Sequence, residues 1–187
     1  LLTQITATIG AKSEVLYVSG EESIQQIKLR AERLGAASSD KLQLASSNSA
    51  EDIAASIRTG KYDLVVVDSV QTLSLAEISS APGSVSQITN ASNVIIRAAK
   101  ATDTAVILVG HVTKEGSIAG PKVLEHLVDV VLNFEGDRYG GFRVVRAQKN
   151  RYGSTSEAAI FDMSDKGLKI VDNPSANLLA ERKNLHG

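Results

Sequence analysis

Glu21, Asp68 and His111 each follow a short, strongly apolar run, and that placement is what points to chemistry. The runs are Val15-Leu16-Tyr17-Val18-Ser19, Leu64-Val65-Val66-Val67 and Ala105-Val106-Ile107-Leu108-Val109. Runs this short and rich in β-branched residues suit strands covered on both faces, as in a parallel sheet sandwiched by helices. A carboxylate cannot stay ionised inside such a sheet without a partner, so Asp68 belongs at its strand's carboxyl end, where open α/β sheets bind ligands. An apolar strand followed by Asp68-Ser69 is the pattern of a Walker B element, whose acid holds Mg²⁺ through oxygen ligation. Taken alone, Asp68 reads first as an acid capping the next loop. Parallel strands separated by helices bring all three ends to one sheet edge, and that convergence favours a site over three unrelated caps.

The connections carry helical patterning. Leu2, Ile5 and Ile9 predict an opening helix that ends near Gly10 and is already under way at the first residue. Ser23 with Gln26 forms a capping box, and Ile24, Ile27, Ala31 and Leu34 give the next helix one apolar stripe, with Lys28, Arg30 and Arg33 largely off it and Gly35 as its stop. A second box, Ser49 with Asp52, opens a short helix carrying Ile53 and Ile57, with a further strand expected before it. Residues 71–84, containing Pro82-Gly83, read as a loop with a turn of helix. Val85, Ile88, Ser92, Ile95, Ile96 and Ala99 mark a long helix, and residues 105–110 a third buried strand. A Gly-rich stretch, residues 112–120, precedes a short helical piece at 121–127, whose His126 reads as a structural histidine. Runs at 128–134 and 142–148 predict an antiparallel hairpin at the sheet's far side, and 158–163 and 168–171 add strands.

Composition narrows the class without naming a partner. The 187 residues suffice for one core, and no apolar run approaches the ~18 residues of a membrane span, so a soluble protein with no membrane partner is expected. Twenty Lys and Arg against 21 Asp and Glu leave a net charge of −1, so only local clusters can argue for nucleic acid. With no cysteine there is neither a disulfide framework nor a thiolate zinc site in these residues, which is compatible with the cytosol. The chain begins Leu1-Leu2-Thr3 without a start methionine, as expected of a piece of a longer protein.

A nucleotide site of this type needs a backbone cradle for the phosphates, G-x-x-x-x-G-K-[ST]. No such motif occurs in the 187 residues. Gly10-Ala11-Lys12-Ser13 mimics its tail, but it lacks the Gly before the Lys and runs into a strand instead of opening a helix. Because that loop immediately precedes a helix, it is expected directly before Leu1.

Six stretches together carry a resemblance: Val18-Ser19-Gly20-Glu21-Glu22-Ser23, residues 28–35 (Lys-Leu-Arg-Ala-Glu-Arg-Leu-Gly), Asp68-Ser69-Val70-Gln71-Thr72, Gly83-Ser84-Val85-Ser86-Gln87, residues 110–116 (Gly-His-Val-Thr-Lys-Glu-Gly) and Lys149-Asn150-Arg151-Tyr152-Gly153. They resemble the RecA-like ATPase domain of the bacterial RadA (Sms) family over nearly the whole chain. The last is similar to that family's K-N-R-F-G motif with Tyr for Phe. The resemblance implies an α/β fold with a RecA-like, mostly parallel sheet flanked by helices and an antiparallel hairpin toward the C-terminal side. It implies a core over residues 1–175 and a linker over 176–187 toward a missing C-terminal domain, while the sequence departs from the family pattern in carrying no P-loop, no amino-terminal cysteine zinc finger and no Lon-like domain. It further implies a cytoplasmic, DNA-dependent ATPase using ATP and Mg²⁺, assembled as a hexameric ring, acting on single-stranded or branched DNA beside a RecA-type recombinase.

Roles follow residue by residue. Glu21 is placed like the carboxylate that orients and deprotonates the attacking water, with Glu22 better suited to the dipole of the following helix N-terminus. Asp68 takes the Mg²⁺ role, through water, and Ser69, Glu22 and Arg30 are counted with it as cofactor-binding candidates. His111 is either a γ-phosphate sensor or a structural histidine bonded to nearby backbone. Arg138, Arg143, Arg146, Lys149 and Arg151 form a run without an acid among them, ordinarily a solvated hairpin face; here Lys149 and Arg151 resemble fingers reaching a neighbouring subunit's nucleotide. Lys114 and Lys122 are expected to face DNA phosphates. Two other functions compete: a non-catalytic assembly module of the same fold, and a signalling ATPase of the KaiC type, against which the pentad argues.

Overall fold

A computed structural model describes residues 1–34, 39–111, 121–136 and 141–172. The chain divides into two compact units, Leu1–Leu127 and Val128–Gly187.

The first unit is built on four parallel strands, β1 (Val15–Ser19), β2 (Leu42–Ser46), β3 (Leu64–Asp68) and β4 (Ala105–Val109), in the order β2-β1-β3-β4. Ser19 pairs with Asp68 and Asp68 with Val109, so three strand exits end level at one edge. Alternation along β1 and β3 explains why both are apolar up to their last residue. Leu16, Val18, Val65 and Val67 pack on one face with Ile53 and Ile57 of α3 (Ala50–Arg58) and Ile88 and Ile95 of α4 (Val85–Thr102). Val15, Tyr17, Leu64 and Val66 pack on the other with Ile27 of α2 (Ile24–Arg33). Each such buried aliphatic side chain contributes roughly 1.5–3 kcal/mol, which is what holds the exits in register.

Local signals fix the helix starts. Ser23 accepts from the Gln26 N–H and Gln26 returns to the Ser23 N–H at 2.9 Å, a complete capping box. Ser49 makes only half of one: its Oγ accepts from the Asp52 N–H at 3.1 Å but donates to Glu51 instead. Ser84 caps α4 by accepting from the Gln87 N–H. Residues 70–72 form a single 3₁₀ turn directly after β3. The α2 helix ends at Arg33, and Gly35 lies outside the described residues.

The opening helix forms as read, with small residues on its buried face, and two other expectations need correction. The opening helix, α1 (Leu2–Gly10), buries Thr3, Thr6 and Gly10, whereas Leu2 and Ile5 are half-buried and Ile9 is exposed. Helical spacing defines a stripe but not its direction, and close packing selects the small residues: a Cβ on Gly10 would stand 3.3 Å from the Leu42 Cβ. The β4 strand is half-exposed instead of buried, because among the described residues it borders β3 alone and forms the sheet's edge. The piece after residue 120 is one helical turn, α5 (Pro121–Leu124), and His126 beyond it is exposed.

The second unit is an antiparallel sheet of its own, β5 (Val130–Gly136), β6 (Arg143–Asn150), β7 (Ala158–Ser164) and β8 (Gly167–Ile170), paired in sequence order. The hairpin read from sequence is its first half. Val131 pairs with Lys149 and Leu132 with Ala147, a register shift that leaves Gln148 as a bulge just before the pentad.

Candidate functional site

The level strand exits bring Glu21, Asp68 and His111 together. Glu21 Oε1 accepts from the Ser69 hydroxyl at 2.7 Å and lies 3.7 Å from His111 Nε2. Ser69 thereby ties the exits of β1 and β3. Below it, Ser19 Oγ accepts from the N–H groups of Glu21 and Glu22 at 3.3 and 2.9 Å, turning the chain sharply off β1. Gly20 has no side chain for a reason: a Cβ there would fall 2.0 Å from Thr72 Oγ1. Its N–H donates to the Asp68 carbonyl at 2.9 Å, so turn and strand interlock. The Asp68–Ser69 peptide bond is cis.

Asp68 is half-buried at the end of β3, and Oδ2 accepts from the Tyr17 hydroxyl at 2.6 Å. Tyr17 is 1% exposed; burial first, and then the bond to Asp68, push its phenol above the usual range, so it stays a neutral donor. Among the described residues Asp68 Oδ1 accepts no hydrogen bond, and the Asp68 and Glu21 carboxylates are hard oxygen donors, whereas Ser69 is fully buried with its hydroxyl committed to Glu21. That set fits Mg²⁺, which is held by one or two carboxylates, keeps several waters and needs no all-protein cage. No group of three or more metal-ligating side chains occurs among the described residues.

The remaining candidates divide. Glu22 and Arg30 pair with each other, Nη1 and Nη2 donating to Oε1 and Oε2 at 2.8 and 2.6 Å, and Arg30 Nε donates to Thr3 Oγ1 at 3.2 Å. This fork ties α2 to the exit of β1 and to α1, and it commits both charges to each other. Lys149 and Arg151 lie in the second unit: Lys149 Nζ donates to the Val128 carbonyl and Arg151 Nη1 to Asp129 Oδ1, each at 2.8 Å. Asn150 shapes the pentad's turn, accepting from the Tyr152 N–H and donating to the Ser154 carbonyl. The Tyr152 ring is 78% exposed, so a hydroxyl in place of the Phe hydrogen displaces no packing. Of the other cations, Lys114 and Arg138 fall outside the described residues, as does the side chain of Lys122, while Arg146 is exposed.

Sequence reasoning missed Tyr17, Gln71 and Gln87. Tyr17 left a signal, since a tyrosine inside a buried apolar strand must find a partner for its hydroxyl. Gln71 and Gln87 left none, because they bond main-chain groups distant in sequence.

Comparison with known proteins places this geometry. The AAA domain family model matches residues 6–117. The DNA repair protein RadA of Bacillus subtilis is 50% identical over 97% of this chain and 40% of its own length, and that of Streptococcus pneumoniae is 48% identical over 97% and 43%. The chain thus spans about two fifths of the length of the curated relatives it matches. A crystal structure of the RadB recombinase superposes with a TM-score of 0.61 at 20% identity, over 91% of this chain and 84% of that one, which supports the fold. The chain that carries this parallel sheet, whose exits gather two acids and a histidine, belongs to the AAA domain family, and its sequence is similar to that of the RadA repair proteins.

Proposed function

We propose that this chain is the ATP-hydrolysing core of a DNA-dependent motor that drives branch migration of recombination intermediates during DNA repair. The observation that carries the reading is the Ser69–Glu21–His111 cluster beside Asp68 at the level strand exits. Ser69 donates into Oε1 of Glu21 and leaves Oε2 to hold a water and take its proton as the oxygen attacks the γ-phosphorus. The bond from that phosphorus to the bridging oxygen then breaks, and ADP leaves with the electron pair. Asp68, oriented by Tyr17, would hold Mg²⁺ through water, and the ion when bound would neutralise charge on the phosphate oxygens. His111 stands where an imidazole N–H can donate to the γ-phosphate and pass its loss to the chain that follows.

The partners belong to the same proposal. Lys114 and Lys122 meet the phosphates of single-stranded or branched DNA, the subunits close into a hexameric ring in the cytoplasm, and a RecA-type recombinase supplies the joint. Because the 187 residues contain no G-x-x-x-x-G-K-[ST] motif, by themselves they neither bind ATP tightly nor hydrolyse it, and steady-state turnover by the purified chain would refute this. The same feature favours the second reading, an assembly module that keeps the fold without turnover.

The deciding experiment uses the full-length protein that carries this chain. Glu21→Gln should retain nucleotide affinity and lose hydrolysis by ~10²-fold or more, since the amide orients a water but takes no proton. Hydrolysis at the wild-type rate in Glu21→Gln, with Glu22→Gln inactive, would move the base by one residue. Full hydrolysis in both would refute Glu21 as the base, and a wild-type protein that hydrolyses no ATP would favour the assembly reading.

A further inference from the structure

The turn after β3 grips both neighbouring strand exits. Ser69 reaches Glu21 on the β1 side, and Gln71 reaches the opposite way, its Nε2 donating to the main-chain carbonyl of His111 at 3.0 Å. Thr72 Oγ1 donates to the Ser69 carbonyl at 2.8 Å and closes the turn, which fixes where Gln71 starts from. The other half of the Gln71 amide makes no such bond: Oε1 is buried and has no hydrogen-bond partner among the described residues. A buried, unpartnered acceptor is unfavourable, so a side chain that merely filled this space would be better apolar. What the amide contributes is its N–H. The carbonyl it holds needs holding, because β4 ends at Val109 and Gly110, with the widest backbone freedom, stands between the ladder and His111.

We propose that Gln71 is a positioning residue for His111: by fixing that carbonyl it sets the imidazole opposite the Glu21 carboxylate. The turn 69–72 then acts as a bracket, with one arm on the water-activating acid and the other on the residue facing the γ-phosphate. The proposal rests on the hydrolytic reading of the site, and it gives Gln71 no contact with substrate.

Two variants of the full-length protein separate donation from packing. Gln71→Met keeps the length and removes both the donor and the orphan acceptor; Gln71→Glu keeps the shape and, when ionised, has no donor. Both should lower kcat about tenfold or more with KM for ATP changed less than about twofold, the pattern of a group misplaced for the chemical step. A packing role predicts that at least one of them behaves as wild type, and that result overturns the proposal. The second measurement needs no activity: crystal structures of wild type and Gln71→Met, without nucleotide. The His111 Nε2 to Glu21 separation should open by more than an ångström in the variant, and an unmoved imidazole overturns the proposal. If wild type hydrolyses no ATP, the hydrolytic reading fails, while the crystallographic comparison still decides whether Gln71 sets His111.

Discussion

Gly20 shows how much of the site depends on what a residue lacks. The β1 exit passes so close to the 69–72 turn that a methyl group would overlap Thr72 Oγ1, at 2.0 Å, and Thr72 is itself bonded to Ser69. Gly20→Ala must therefore push the exit outward and carry Glu21 away from Ser69. The expected outcome is about 1–3 kcal/mol of destabilisation, the usual range for overpacking, with hydrolysis lost by more than stability accounts for. Urea midpoints and steady-state rates on the full-length protein check both, and a folded variant with wild-type turnover would mean that the exit has slack. At this scale Glu21, Asp68 and His111 were legible because each is a polar break after an apolar run. Gly20 and Gln71 were not, since each owes its role to a neighbour 40 or more positions away, Thr72 and His111.

Elements were legible where one signal settled them. The Ser23–Gln26 box and the Ile27/Ala31 stripe fixed α2, and the runs at β1 and β3 fixed buried strands. The β4 run has the same composition as β3 and a different environment, because composition does not say which strand lies at an edge. The long connection from β3 to α4 was read as loop with a turn of helix, and one side chain pins three of its main-chain groups. Gln87, 2% exposed on the first turns of α4, accepts from the Leu75 N–H at 2.9 Å and donates to the Ile78 and Ser80 carbonyls at 2.9 Å each. Gln87→Leu keeps the bulk and leaves those main-chain groups to find water. The expected cost is about 2–3 kcal/mol, from the desolvation of unpaired buried groups. It should appear as a lower urea midpoint at unchanged slope, and a midpoint within error of wild type would show that the loop needs no such pin.

Across the whole molecule, the two sheets hold different parts of the proposed chemistry. The parallel sheet carries Glu21, Asp68 and His111, and the antiparallel sheet carries Lys149 and Arg151. Both were visible in the sequence as runs of strand type, but that the hairpin extends into a four-stranded sheet of its own depends on pairings no local pattern encodes. In a single chain Lys149 bonds the Val128 carbonyl and Arg151 pairs with Asp129, within their own unit. An exposed pair of this kind, with side chains 59% and 37% accessible, is worth no more than about 1 kcal/mol, so a phosphate can displace Asp129 from the guanidinium at little cost. A cation supplied from outside a phosphoryl-transfer site stabilises charge on the transferring group and is worth ~10³ or more in rate. Lys149 and Arg151 are therefore proposed to act across a subunit interface. Alanine at either should cut DNA-stimulated hydrolysis while sparing the fold and most nucleotide affinity. Subunit mixing checks the assignment: full-length Arg151→Ala combined with full-length Glu21→Gln should regain partial activity, because some interfaces then join an intact finger to an intact base. If the two co-assemble and the mixture is no more active than its components, the pentad serves its own subunit or DNA, and Asp129 is the partner Arg151 keeps throughout the cycle.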